Sequence, residues 1–420
     1  MYNTDFSPQV VKMAQQAGER IAQVSARFDD ISLNCTAKVM SAFREFRVSE
    51  SCFAGSTGYG YDDLGRDKLE QIYARVFDAE SALVRIGFVN GTHAIGTALF
   101  AACVPGKTLL SVTGAPYDTL RSTIGIDKDG FGTLKFYGIG YRQVDLLPNN
   151  EPDIAAIERE AANSDVGAIL IQRSRGYSTR RAFSIEDIEK IISAIRNVNK
   201  SANIVVDNCY GEFTQEYEPC AVGADLIAGS LIKNPGGGLA LTGGYIAGRA
   251  DLIKNAAERL TVPGIGGECG STLSNNRLLY QGFFMAPHIV SQALKTAAFC
   301  AAMVEQLGLK SSPSPDVARY DIIQMIEFGT PERLLSFCTG IQRGAPVDSF
   351  VTPTPWAMPG YDDEVVMAAG AFVQGSSIEL SCDGPMRKPY LGFMQGGLTY
   401  ESGRLGVMLA VDELLKLGDF

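Results

Sequence analysis

The sequence predicts an α/β domain built on a mostly parallel sheet, with a helical arm before it and a smaller α+β domain after it. Three observations carry this. Strand-like and helix-like stretches alternate from about residue 55 to 290. Some strand-like runs, such as "VGAILIQRS" (166–174), are almost continuously apolar, the pattern of a strand covered on both faces. Beyond 290 the alternation stops, and a proline-marked break, "SSPSP", separates a long helical stretch from short strand candidates. The expected units are an arm over 1–54, the α/β domain over 55–290 and a C-terminal domain over 291–420.

Each element follows from its pattern. Residues 7–46 carry apolar side chains near helical spacing. A loop rich in glycine and tyrosine, "GSTGYGYDDLGR" (55–66), leads to the amphipathic helix "DKLEQIYARVFDAE" and the strand "SALVRIGFV". Strands are then expected at "TLLSVTG", "VGAILIQRS", "ANIVVDN", "DLIAGSLIK" and "GGYIAGR", with a helix at "IEDIEKIISAIRNVN". In the last domain "APHIVSQALKTAAFCAAMVEQLG" and "GRLGVMLAVDELLKLG" read as helices, and "SFVTP" and "VVMAAGAFVQG" as strands.

Composition narrows the function. A chain of 420 residues, 46% hydrophobic, supports two domains with substantial cores. The net charge is −10 and no basic stripe stands out, so neither nucleic acid nor an anionic membrane is an expected partner. The first twenty residues lack the pattern of a secretory signal, and no apolar run reaches the roughly 18 residues of a membrane span. The nine cysteines show no CxxC pair, which suits buried free thiols in a reducing cytoplasm. Only His93 and His288 are available for a histidine-based triad or metal site, and no metal is expected.

Three glycine-bearing loops fail as nucleotide motifs. In "PGKT" (105–108) the earlier P-loop glycine is replaced by Ala101. In "GYGYDD" and "GIGGECG" the third glycine of GxGxxG is Asp63 and Cys269. A fourth loop fits an anion better. "VNGTHAIGTALF" (89–100) follows a strand and opens a helix, so the backbone N–H groups of Gly91, Thr92 and His93 are placed to cup a phosphate, with the Thr92 hydroxyl beside them. His93 otherwise reads as a helix-start residue.

Two further residues complete a pattern. Asp207 ends the apolar run "NIVVD", and Lys233 ends "DLIAGSLIK" and opens into glycines. A phosphate cup, an aspartate at a strand end and a lysine after the next strand are what pyridoxal phosphate requires. The lysine amine condenses with the cofactor's aldehyde, and the aspartate keeps the pyridine nitrogen protonated. Ser230, three residues before the lysine, is placed to reach the same phosphate.

The chain resembles the fold-type-I pyridoxal phosphate enzymes of the cystathionine beta-lyase and methionine gamma-lyase group, nearest their bacterial branch labelled as aluminium-resistance proteins. The segments that carry the resemblance include "GYGYDDLGRDKLEQIYARVF", "ALVRIGFVNGTHAI", "GAPYDTL", "VDNCYGEF", "GSLIKNPGGG", "GGECGSTLSNNRLLYQGFFMAP" and "GPMRKPYLGFMQGGLTYESGRLG". The resemblance implies an aspartate-aminotransferase-like fold, with Lys233 bonded to the cofactor, Asp207 on its ring nitrogen, and Gly91, Thr92 and Ser230 on its phosphate. It implies that Tyr117 stacks on the cofactor ring and assists proton transfer. It also implies that Tyr59 reaches a neighbouring subunit's phosphate, in a homodimer or homotetramer with sites at the dimer interface. The family's tyrosine-x-arginine is here Tyr59-Gly60-Tyr61, so the arginine is missing. Arg387 is the expected clamp for a substrate carboxylate. Arg173 and Arg175 follow a core strand and are candidates for substrate or cofactor oxygens, and Ser271 and Thr272 for phosphate contacts.

The implied activity is a carbon–sulfur lyase acting on a cystathionine-, methionine- or cysteine-type amino acid by β- or γ-elimination. Two alternatives stay open. One is a different reaction on the same cofactor: γ-replacement, transamination or racemisation. The other is a cofactor-binding, stress-related protein with little turnover.

Overall fold

The computed structural model describes residues 6–358 and 363–418. Residues 1–5 of the expected arm, and 359–362 and 419–420 of the expected C-terminal domain, lie outside them. The arm is two helices, α1 (Pro8–Arg20) and α2 (Ala22–Glu45), joined at Ile21. Ser7 caps α1 by accepting from the Val10 N–H, and Pro8 stands where a missing donor costs nothing. Val10, Met13, Ala17, Val24, Phe28, Val39 and Ala42 line one buried stripe and join the main core.

The α/β alternation begins with α3 (Leu64–Val76), whose first turn is capped by the Asp63 carboxylate. Strand β1 (Ser81–Arg85) is shorter than its apolar run, because the chain turns after Arg85 before α4 (Gly91–Ala102). There follow β2 (Thr108–Ser111), α5 (Asp118–Ile124), β3 (Gly140–Gln143), α6 (Ile154–Ala161) and β4 (Val166–Gln172). Next are α7 (Ile185–Val198), which opens on a Ser184–Asp187 capping box, and β5 (Asn203–Asp207). The domain ends with β6 (Leu226–Ser230), β7 (Gly244–Gly248) and α8 (Ala250–Leu260). The sheet order is β1-β7-β6-β5-β4-β2-β3. Only β7 runs against its neighbours, so the sheet is mainly parallel, as the apolar runs require.

Helix α9 (Asn276–Glu305) starts ten residues before the expected position and runs across residue 290, so one helix serves both domains. The smaller domain contains β8 (Lys310–Ser312), β9 (Ile323–Glu327), α10 (Pro331–Arg343), β10 (Val365–Ala368), β11 (Ser381–Pro385), β12 (Leu391–Gln395) and α11 (Tyr400–Leu415). Its antiparallel sheet has the order β10-β11-β12-β9-β8. "SFVTP" forms no strand, and "VVMAAGAFVQG" is a strand only over β10, after which Gly370 presses on the Val347 carbonyl. The nine cysteines are free thiols. Among the described residues no helix is long and apolar enough to cross a membrane.

One close approach positions the lysine. After β6 the chain makes a single helical turn, Asn234–Gly236, and α9 lies directly on it. A Cβ on Gly282 of α9 would stand 2.2 Å from the Gly236 carbonyl oxygen, and one on Gly237 would stand 2.3 Å from the Gly282 oxygen. Backbone meets backbone here, so neither side can yield by turning a side chain. Gly282→Ala is therefore expected to cost about 1–3 kcal/mol in urea unfolding. An unchanged midpoint would show that the turn yields freely.

Candidate active site

The parallel pairing of β5 with β6 sets Asp207 opposite Ala228, so both strands end at the same edge of the sheet. Asp207, Ser230 and Lys233 therefore converge with the start of α4 on one cavity of about 430 Å³. Gly91 and Thr92 line it too. A Cβ on Gly91 would lie 3.2 Å from the Ser230 Cβ, so a side chain there would crowd the serine. The Ser230 hydroxyl is buried and has no hydrogen-bond partner. The first-turn N–H groups of Gly91 and Thr92 have no carbonyl four residues back to serve. Burial pushes the Asp207 carboxyl above its usual range, against the Cys209 N–H, Lys233 and Arg180, which favour the carboxylate. Burial also works to lower the Lys233 amine, but Tyr210, Cys209 and Asp207 outweigh it and hold the amine above the ordinary lysine value.

Tyr117 stands at the start of α5 and lines the same cavity, its backbone N–H held by the Gln172 side chain at 2.8 Å. His93 does not line it. Its N–H is spent on the Asn90 cap at 2.8 Å, and its Nδ1 accepts from the Val89 N–H at 3.2 Å. The expected cup thus has two free backbone donors, not three.

The arginines divide. Along a strand alternate side chains take opposite faces. Gln172 and Ser174 line the cavity, so Arg173 between them points away. Arg173 is fully buried on Asn208 Oδ1 at 2.9 Å and Glu218 Oε2 at 3.1 Å, and does not reach the cavity. Arg387 lines a second cavity of about 340 Å³ with Arg175 and Arg180. The two cavities share Tyr117 and Gln172. Arg387 is largely exposed and pairs with Asp363 at 2.9 Å. Arg175 donates to the Ser312 carbonyl at 3.0 Å.

Tyr59 lies outside the Lys233 cavity and is 74% exposed. Its carbonyl accepts from the Gly270 N–H at 2.8 Å, zipping the 55–66 loop to the 264–273 loop. The Thr272 hydroxyl bonds Asp63 at 2.6 Å and is not free for a phosphate. Within one chain Tyr59, Ser271 and Thr272 stay apart from Lys233.

Sequence reasoning missed Tyr210, Gln172 and the segment Gln374–Gly375, all of which line the cavity. Tyr210 sits in the quoted "VDNCYGEF", but nothing local shows that its ring covers the lysine. Two buried carboxyls nearby were also missed. Burial, then Glu218, pushes Glu212 up to about 8, and its Oε1 accepts from the Tyr245 hydroxyl at 2.8 Å. Burial pushes Asp383 on β11 up to about 7, opposed by Tyr177 and Lys233.

These features define a class. The parallel sheet carries a buried lysine and aspartate at adjacent strand ends, beside an unpartnered serine and a helix start. This is a pyridoxal phosphate-dependent lyase of fold type I. The chain belongs to the methionine gamma-lyase family, whose family model matches residues 10–415. It is 48% identical over 406 residues to YnbB of Bacillus subtilis, covering 96% of each chain. A solved carbon-sulfur lyase involved in aluminum resistance, from Clostridium novyi NT, is 51% identical with a TM-score of 0.93, covering 97% of this chain and 96% of that one. The L-methionine gamma-lyase of Pseudomonas putida is 25% identical over 237 residues, 55% of this chain and 52% of that one.

The buried carboxyls give a pH dependence. In the unfolded chain both titrate near 4. Between about 4 and their raised folded values the folded protein binds the extra protons. Their stabilisation is therefore complete below about pH 4 and is lost as pH rises through about 7 for Asp383 and about 8 for Glu212. Glu212→Gln is expected to remove a slope of up to about 1.4 kcal/mol per pH unit from urea-unfolding free energies between pH 5 and 8. A variant with the parent's slope would show that Glu212 ionises normally.

Proposed function

We propose that this enzyme is a carbon–sulfur lyase that eliminates a thiol from a sulfur-containing amino acid of the cystathionine, methionine or cysteine type. The observation that carries it is the convergence of Lys233, Asp207 and the unpartnered Ser230 hydroxyl on one buried cavity. Pyridoxal 5'-phosphate, when bound, supplies an electron sink for the pair released at the substrate Cα.

The chain's own groups do the rest. Lys233 tethers the cofactor and, once freed, takes the Cα proton at Nζ. Asp207 holds a proton at the ring nitrogen, and the cationic nitrogen compensates the desolvation that now pushes its carboxyl up. Ser230 and the N–H groups of Gly91 and Thr92 bind the phosphate. Tyr117, which lines the same cavity, would lie against the cofactor ring. Arg387 opens towards the adjoining cavity and orients the substrate carboxylate; Arg173 is committed to Glu218 and has no part. The exposure of Tyr59 supports a role at a neighbouring subunit's site, in a homodimer or homotetramer of a cytoplasmic enzyme.

Lys233→Ala is expected to leave no borohydride-reducible cofactor. Asp207→Asn is expected to retain cofactor and lose about 100-fold or more in rate. Assays with cystathionine, methionine and cysteine then define the reaction. From cystathionine, loss of sulfur at Cβ gives pyruvate and loss at Cγ gives 2-oxobutyrate, each with ammonia. No keto acid from any of the three would overturn the lyase reading.

The subunit role of Tyr59 has its own test, conditional on Tyr59→Phe alone being strongly impaired. Mixing Lys233→Ala with Tyr59→Phe subunits is expected to restore activity, because each mixed dimer then has one intact site. No recovery would assign Tyr59 to its own chain.

A further inference from the structure

The working amine of Lys233 has a resting place that the reading above does not use. Its Nζ lies 4.0 Å from the centre of the Tyr210 ring. A ring face attracts an ammonium without the directional grip of a carboxylate, so it can hold the amine and release it. Also facing the amine are Asp207, which ends β5, Cys209 in the turn after it, and Asp383 on β11.

Tyr210 is strained and is held by a hydrogen bond at each end. Its φ is 71°, left-handed, a conformation a tyrosine keeps only where its surroundings enforce it. Asn234, the residue after the lysine, donates from Nδ2 to the Tyr210 carbonyl at 3.0 Å, which stitches the two turns together. The Tyr210 hydroxyl donates to Ser377 Oγ at 3.0 Å, across the boundary to the small domain. The segment around Ser377 is itself closed by Glu379, whose carboxylate accepts the N–H groups of Phe372 and Val373. Gln374 and Gly375 of the same segment line the cavity.

We propose that Tyr210 is a positioning residue whose ring holds the Lys233 ammonium whenever the amine is free, and that Ser377 aims that ring. Segment 372–379 of the small domain then sets where the lysine waits between its two tasks. This rests on Lys233 being the working amine.

The test reads the lysine without the cofactor. Full-length protein, stripped of cofactor with hydroxylamine, is reductively methylated with formaldehyde and borohydride over a range of pH, and the Lys233 peptide is followed by mass spectrometry. Tyr210→Leu is expected to lower the pH of half-reaction of Lys233 by about one pH unit, because burial is then less opposed. Ser377→Ala keeps the ring and loses its anchor, so it is expected to give a smaller shift, and Tyr210→Phe, which also loses the phenol oxygen that favours the ammonium, is expected to fall between the two. In the loaded enzyme Tyr210→Leu is expected to lower kcat about 10-fold with KM unchanged. A Lys233 profile identical to the parent's in both Tyr210→Leu and Ser377→Ala would overturn the proposal. Failure of the parent to hold reducible cofactor at Lys233 would instead overturn the assignment of Lys233 as the working amine, and the methylation profile would still judge whether Tyr210 holds its ammonium.

Discussion

The pairing of β5 with β6 is the constraint on which the rest of the molecule depends. Two parallel strands in register end side by side, so a residue at the end of one and residues just past the end of the other must share a cavity. The chemistry needs a carboxylate and an amine in one desolvated space. Neither is stable there alone, since burial penalises each charge. Opposite charges facing one cavity limit that penalty, and a cofactor with a cationic ring nitrogen and an anionic phosphate limits it further.

Around this pair the protein invests in buried polar networks that touch no ligand. Arg173, Asn208 and Glu218 interlock behind β5, with Asn208 donating to Glu218 Oε2 at 2.9 Å. Across the sheet, Arg85 bonds Glu70 at 2.6 Å and the carbonyls of Cys269 and Gly267 at 2.6 and 2.8 Å. The first network fixes the turn after Asp207. The second fixes the loop that is zipped to Tyr59. Removing one partner from either would leave a buried charge uncompensated, which costs more than the pair contributes.

The sequence made six strands of the large sheet legible because they are apolar runs, while β3, "GYRQ", was missed because it is polar and half-exposed at the sheet edge. Asp207, Ser230, Lys233 and Gly91 were legible because each stands where such a run ends. The small domain was harder. β11 is "SCDGP", a string of residues poor in strand propensity, yet all five are buried, and Cys382 and Asp383 are paired on both sides. Its neighbours supply the strand character that its own residues lack. Arg173 was misjudged because the direction of a side chain just past a strand end depends on a two-residue alternation whose phase only the folded sheet reveals. Tyr210 was missed because its orientation follows from a left-handed backbone and from Ser377, 167 positions away.

Helix α9 has a mechanical meaning. Its first half rests on the turn after Lys233 through Gly282. Its second half touches the small domain, where Thr296 crowds Gly397 and Gly403. At 30 residues it is a rod of about 45 Å joining the lysine's support to the domain that bears Arg387 and Ser377. A rod transmits rotation, so a swing of the small domain would twist the floor beneath the amine. Between the two contacts lies Pro287, which deprives the helix of one backbone donor and weakens its ladder at that point. The helix is therefore weakest beyond the stretch seated under the lysine, and a bend along it would cost least there.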